Sequence, residues 1–101
     1  FVESWPNGPG RIPSECDIHF KVNNIRTVNI NIAKVSFLDT TDHSKWAVSS
    51  NTAGEIWTCI GDINRAVAQR QRGGGTVCFN VTEISTAYQK SISELEPCQN
   101  Y

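Results

Sequence analysis

Residues 45–60 read Lys45-Trp46-Ala47-Val48-Ser49-Ser50-Asn51-Thr52-Ala53-Gly54-Glu55-Ile56-Trp57-Thr58-Cys59-Ile60. Two short segments rich in aromatic and β-branched residues flank a polar, small-residue stretch, the pattern of two strands around a loop. Downstream, residues 61–75 are polar and close on Gly73-Gly74-Gly75, a long surface loop that turns into a further strand, Thr76-Val77-Cys78-Phe79. Ile84, Tyr88, Ile92 and Leu95 then recur at near-helical spacing before Pro97, which predicts an amphipathic helix over 82–96. Upstream, Val28, Ile30 and Ile32 alternate with Thr27, Asn29 and Asn31, and the parity changes to Val35 and Phe37, predicting a bulge or bend near Ala33-Lys34. Residues 17–22 alternate as well, with Ile18, Phe20 and Val22 inward, and Asn23-Asn24 offers a turn. Residues 1–15, which contain Pro6, Gly8, Pro9, Gly10 and Pro13, read as an irregular lead-in. The expected fold class is α+β: about five strands in a mixed sheet, followed by one amphipathic helix near the C-terminus.

The 101 residues suffice for one small domain with a modest core. Hydrophobic residues at 39% and charged residues at 19% suit a folded chain rather than a disordered one. The longest uncharged run, residues 73–82, is too short to cross a bilayer, so no membrane partner is expected. A net charge of −1 excludes bulk attraction to polyanions and leaves only local patches for that purpose. The chain opens on Phe1 and contains no methionine, so it reads as a processed product or a piece of something longer. Four widely spaced cysteines, Cys16, Cys59, Cys78 and Cys98, suit two disulfides in an oxidising compartment, with three pairings open. The sequon Asn80-Val81-Thr82 points the same way and makes Asn80 a glycosylation candidate in the secretory pathway. None of the cysteines stands in C-x-x-C spacing and there are only two histidines, so neither a metal site nor a cofactor is expected.

The chemistry concentrates between Asp42 and Arg65. In an extended segment, His43-Ser44-Lys45 places an imidazole and an ammonium on one face, and Gly61-Asp62-Ile63-Asn64 follows sixteen residues beyond Lys45. A histidine supplies a nucleophile or a general acid near neutral or mildly acidic pH. A lysine neutralises a phosphate oxygen and an asparagine amide donates to a second. On spacing alone the signal is weak, since H-x-K recurs by chance, and a solvated strand face is the commoner meaning of such a tripeptide. The chain holds another, His19-Phe20-Lys21, whose phenylalanine belongs to the inward stripe and which has no Gly-x-x-Asn after it; we read that one as structural.

Three motifs occur in order: Asp42-His43-Ser44-Lys45-Trp46, then Trp57-Thr58-Cys59-Ile60-Gly61-Asp62-Ile63-Asn64-Arg65, then Gln71-Arg72-Gly73-Gly74-Gly75-Thr76-Val77-Cys78. They closely resemble the carboxy-terminal part of the deoxyribonuclease II family, over residues 16–98. The resemblance implies a phospholipase D-like fold, in which two similar halves each give one H-x-K to a shared site. Residues 16–101 would then be the carboxy-terminal portion of a catalytic domain. It implies an acid-active endonuclease that needs no metal and leaves 3′-phosphate and 5′-hydroxyl ends. His43 is similar to the catalytic histidine of the second half, Lys45 to its phosphate-binding partner and Asn64 to the asparagine of the superfamily's G-S-x-N. The sequence departs from the wider superfamily in having Ser50 where an aspartate usually follows the lysine, and Asp62 in place of the serine. The family pattern pairs Cys16 with Cys98 and Cys59 with Cys78.

Such chemistry needs two histidines, and this chain offers one convincing H-x-K. The partner expected is a missing amino-terminal half of the same enzyme, or a homodimer mate, acting with it on DNA. The alternative is a catalytically incomplete secreted module that keeps the scaffold and binds nucleic acid or protein. Arg65, Arg70 and Arg72 read either as DNA-phosphate contacts or as a solvated loop. Gly73-Gly74-Gly75 reads as a flexible turn, Trp46 and Trp57 as core, and Asp42 either as a partner that tunes His43 or as the end of a loop.

Overall fold

The computed structural model describes residues 1–98, and the main sheet forms around the segments quoted first. Among the described residues, strands β1 (Val2–Glu3), β6 (Trp46–Val48), β7 (Thr58–Gly61) and β8 (Thr76–Phe79) lie in that spatial order. A second sheet places β4 (Ile25–Ile30) between β5 (Val35–Leu38) and β9 (Ile92–Leu95), and β2 (Glu15–Cys16) pairs with β3 (Lys21–Val22). All these ladders are antiparallel. Helix α1 (Thr82–Ser91) follows β8, with Glu83 in its first turn and Lys90 in its last, both complementing the helix dipole. The fold is α+β.

The core gathers Ile25 and Val28 of β4, Trp46 and Val48 of β6, and Ile56, against which Phe1, Phe37, Tyr88, Ile92 and Leu95 pack. Trp46 meets Tyr88 edge-on at 4.7 Å. Beneath the helix the buried hydroxyls of Thr58 and Ser85 bond to each other at 2.5 Å, and Ser85 Oγ also reaches the Ile56 carbonyl at 2.9 Å. The two disulfides are Cys16–Cys98 and Cys59–Cys78. The second joins directly opposed residues of β7 and β8 and so clamps the base of the loop carrying Gly61-Asp62-Ile63-Asn64. By chain-entropy reasoning, closures spanning 19 and 82 residues stabilise by about 3 and about 4–5 kcal/mol.

Several expectations fail. Residues 17–22 do not make a half-buried strand: Asp17 Oδ1 accepts the N–H groups of His19 and Phe20, folding 17–20 into the turn between β2 and β3. Ile18 is consequently 92% exposed and Phe20 half exposed, because an aspartate that bonds its own main chain overrides alternation. The stripe on β4 ends before Ile32, which is fully exposed in a 3₁₀ turn, and Lys34 takes the left-handed conformation (φ 54°) that makes the expected bend. The helix stops at Ser91, whose hydroxyl bonds the Tyr88 carbonyl, and Ile92–Leu95 is captured as a strand by β4. Trp57 is 42% exposed, not core. Within the lead-in, Val2–Glu3 forms a strand on β6 and the Glu3 side chain is fully buried.

Candidate active site

A polar run, Asp39–Thr41, forms a 3₁₀ turn after β5, with the Thr41 hydroxyl on the Leu38 carbonyl. Asp42 then extends the chain, and its carboxylate accepts both the backbone N–H of Ser44 (3.0 Å) and its hydroxyl (2.6 Å). This side-chain turn sets residues 43–45 at the entrance to β6. The Lys45 carbonyl accepts the Gly61 N–H at 3.0 Å, which docks Gly61-Asp62-Ile63-Asn64 beside them. His43, Ser44, Lys45, Ile60, Gly61 and Asp62, floored by Trp46 and Tyr88, line an open cleft of about 420 Å³.

His43 is exposed on its outer side, and its ring stacks on the indole of Trp5 at 4.5 Å and 25°. The Lys45 ammonium donates to the His43 carbonyl at 2.6 Å, and among the described residues no carboxylate lies within ion-pair distance of it. Its charge is therefore available to an anion. Asn64 does not line the cleft; its Oδ1 accepts the Trp5 backbone N–H at 3.0 Å. The structure thus brings His43 and Lys45 to one cleft and links Asn64 to His43 through Trp5.

Two carboxyls sit behind the cleft in opposite states. Glu3 is fully buried and neither oxygen has a hydrogen-bond partner. Burial first, then the Asp42 carboxylate nearby, pushes its pKa up to about 9, although the two groups do not meet hydrogen-bond geometry. Asp42 is shifted downward. Burial opposes that shift, but neutral Glu3, the two Ser44 donors and neighbouring His43 outweigh it. An anionic Asp42 therefore ends the loop and stands beside His43.

The other expected residues fall elsewhere. Arg65 turns into the fold: its guanidinium donates to Asn24 Oδ1 (2.8 Å), the Pro13 carbonyl (2.9 Å) and Glu15 (3.3 Å). Arg70 and Arg72 are exposed on the long loop and do not line the cleft. Gly74 is more than a flexible turn, since a Cβ there would come within 2.5 Å of Asp62 Oδ1, which meanwhile accepts the Gly75 N–H. Asn80 is exposed between β8 and α1. Sequence reasoning missed Glu3 and Trp5, whose only signal is the apolar Val2 and Trp5 at the head of a proline- and glycine-rich stretch.

The family model for deoxyribonuclease II matches residues 1–98, the whole of the described chain. The chain belongs to the deoxyribonuclease II family. It is 41% identical over 98 residues to plancitoxin-1 of Acanthaster planci, covering 97% of this chain and 27% of the relative. Deoxyribonuclease-2-alpha of Mus musculus is 36% identical over 98 residues, 96% of this chain and 27% of the relative. Deoxyribonuclease-2-beta of Homo sapiens is 33% identical over 98 residues, 97% of this chain and 27% of the relative. The chain thus spans about a quarter of the length of these relatives. No solved structure matches it.

Proposed function

We propose that the chain is the carboxy-terminal part of an endodeoxyribonuclease that works without a metal in acid, in a lysosomal or secreted setting. The observation that carries this reading is the shared cleft of His43 and Lys45, tied through Trp5 to Asn64, in a chain of the deoxyribonuclease II family. Its substrate is DNA, and the second histidine comes from the rest of the polypeptide or from a homodimer mate. One histidine nitrogen attacks phosphorus, forming an N–P bond as the bond to the 5′-oxygen breaks. The other histidine, protonated, gives its proton to that departing oxygen. Water then attacks the phosphohistidine, returns a proton to the second histidine and releases a 3′-phosphate. Lys45 and Asn64 offset charge on the non-bridging oxygens throughout. A free imidazole titrates near about 6.5, so a reaction that requires an imidazolium acid favours acidic conditions.

The test uses the longest native polypeptide containing this chain, whose intact mass before and after reduction defines what accompanies residues 1–101. Plasmid DNA at pH 5 in excess EDTA is nicked to 3′-phosphate ends, and His43→Ala abolishes nicking. DNA binding without cleavage by that full polypeptide overturns the enzyme and supports the binding module.

A further inference from the structure

We propose that Trp5 is a positioning residue of the cleavage site, holding the His43 ring and the Asn64 amide in register with each other. The inference rests on the assignment of His43, Lys45 and Asn64 above and extends it to a residue from the opposite end of the chain. Trp5 makes three contacts with this region through different atoms. Its indole face lies against the His43 imidazole, its backbone N–H donates to Asn64 Oδ1, and its indole Nε1–H donates to the Thr40 carbonyl at 3.2 Å. Thr40 belongs to the turn that delivers Asp42 and His43, so one side chain braces both the ring and the loop that carries it.

The segment around Trp5 is itself anchored on both sides. Val2–Glu3 pairs with Ala47 and Trp46 of β6. The Ser4 hydroxyl accepts the Arg65 N–H at 3.1 Å, and Asn7 Nδ2 also donates to the Thr40 carbonyl at 2.9 Å. This strap crosses between the His43 loop and the Asn64 loop, which are otherwise joined mainly through β6 and β7.

The contact with Asn64 has a chemical consequence. An asparagine amide presents an acceptor at one end and donors at the other. Because Oδ1 is engaged by Trp5, the amide is oriented, and among the described residues its Nδ2 donates to no protein group. A donor left free in this way suits a phosphate oxygen; the flipped amide would present an acceptor and repel it. On the other side, the stacked indole restricts rotation of His43 while leaving its ring nitrogens at the edge, where a nucleophile or acid must act. Misplacing a reacting group by about 1 Å costs on the order of 10²-fold in rate. Trp5 is therefore placed to affect turnover more than substrate affinity.

The experiment compares Trp5→Ala and Trp5→Phe in the full-length polypeptide, reading kcat and KM on a short oligodeoxynucleotide together with the proton spectrum of the imidazoles. In the parent, the His43 ring protons carry an upfield ring-current shift that those of His19 lack. Trp5→Ala removes that shift, lowers kcat on the order of 10²-fold and leaves KM within about twofold. Trp5→Phe restores a stacking face and recovers most of the rate. If His43→Ala abolishes cleavage while Trp5→Ala retains kcat within about twofold, the positioning role is overturned and the nuclease assignment stands. A fall in kcat that Trp5→Phe does not recover, or a His43 spectrum unmoved by Trp5→Ala, also overturns it. If His43→Ala leaves cleavage intact, the assignment beneath it fails instead.

Discussion

His19-Phe20-Lys21 and His43-Ser44-Lys45 share a spacing, and each follows an aspartate whose carboxylate bonds the main chain just ahead of it. At Asp17 the result is a hairpin turn that leaves Ile18, His19 and Phe20 exposed between β2 and β3, and Lys21 exposed at the start of β3. At Asp42 the chain runs on into β6, where Gly61 docks on the Lys45 carbonyl and Trp5 closes over His43. The tripeptide proposed to be catalytic is thus marked by what distant segments bring to it. Its own three residues do not distinguish it.

The largest separation between the two tripeptides is expected in catalysis. His43→Ala in the full polypeptide loses on the order of 10³-fold or more in DNA cleavage, whereas His19→Ala stays within about twofold of the parent. Next are the groups proposed to hold the phosphate: Lys45→Ala and Asn64→Ala each cost about 10²–10³-fold in kcat, and Lys21→Ala leaves kcat near the parent value. Denaturant titration makes the same comparison in the packing beneath each site. Ser85→Ala, which strands the buried Thr58 hydroxyl, costs about 1–3 kcal/mol, and Phe20→Ala on the exposed turn costs less than about 1 kcal/mol.

A separate expected effect is a pH dependence of stability set by two glutamates. Glu3, neutral in the fold up to about 9, contributes stability that is complete below its ordinary value of 4.5 and lost as pH rises toward 9. Glu96 acts in the opposite direction. Burial would raise its pKa, but hydrogen bonds from Arg11, Ser14 and Asn24 hold it at about 2. Its contribution is present above 4.5 and lost as pH falls toward 2. The urea midpoint should therefore peak near pH 4.5, and Glu3→Gln should flatten only the limb above that value.

Much of the fold is legible where hydropathy and local chemistry agree. Trp46–Val48 and Thr76–Phe79 are strands as read, Thr82 begins the helix, and the bend at Ala33-Lys34 is a left-handed turn. Reading fails where a non-local partner or a self-bonding side chain decides the matter. Ile92–Leu95 continues the helical spacing of Ile84 and Tyr88, yet β4 offers it a ladder. Trp57 belongs to an apolar run, yet its side chain is substantially exposed. The motif residues of the site stand out by type and order, while Glu3 and Trp5 lie in a stretch whose prolines and glycines suggest no packing role. A buried glutamate with no hydrogen-bond partner is not something hydropathy can indicate.

The central claim is that the cleft at residues 43–45 receives the scissile phosphate. The most direct measurement is a crystal structure of the full polypeptide with a short oligodeoxynucleotide bearing a non-hydrolysable linkage. The account places one phosphate with an oxygen about 2.7–3.1 Å from Lys45 Nζ and a His43 ring nitrogen facing phosphorus. A phosphate seated at His19 and Lys21, or anywhere out of reach of His43, would contradict it.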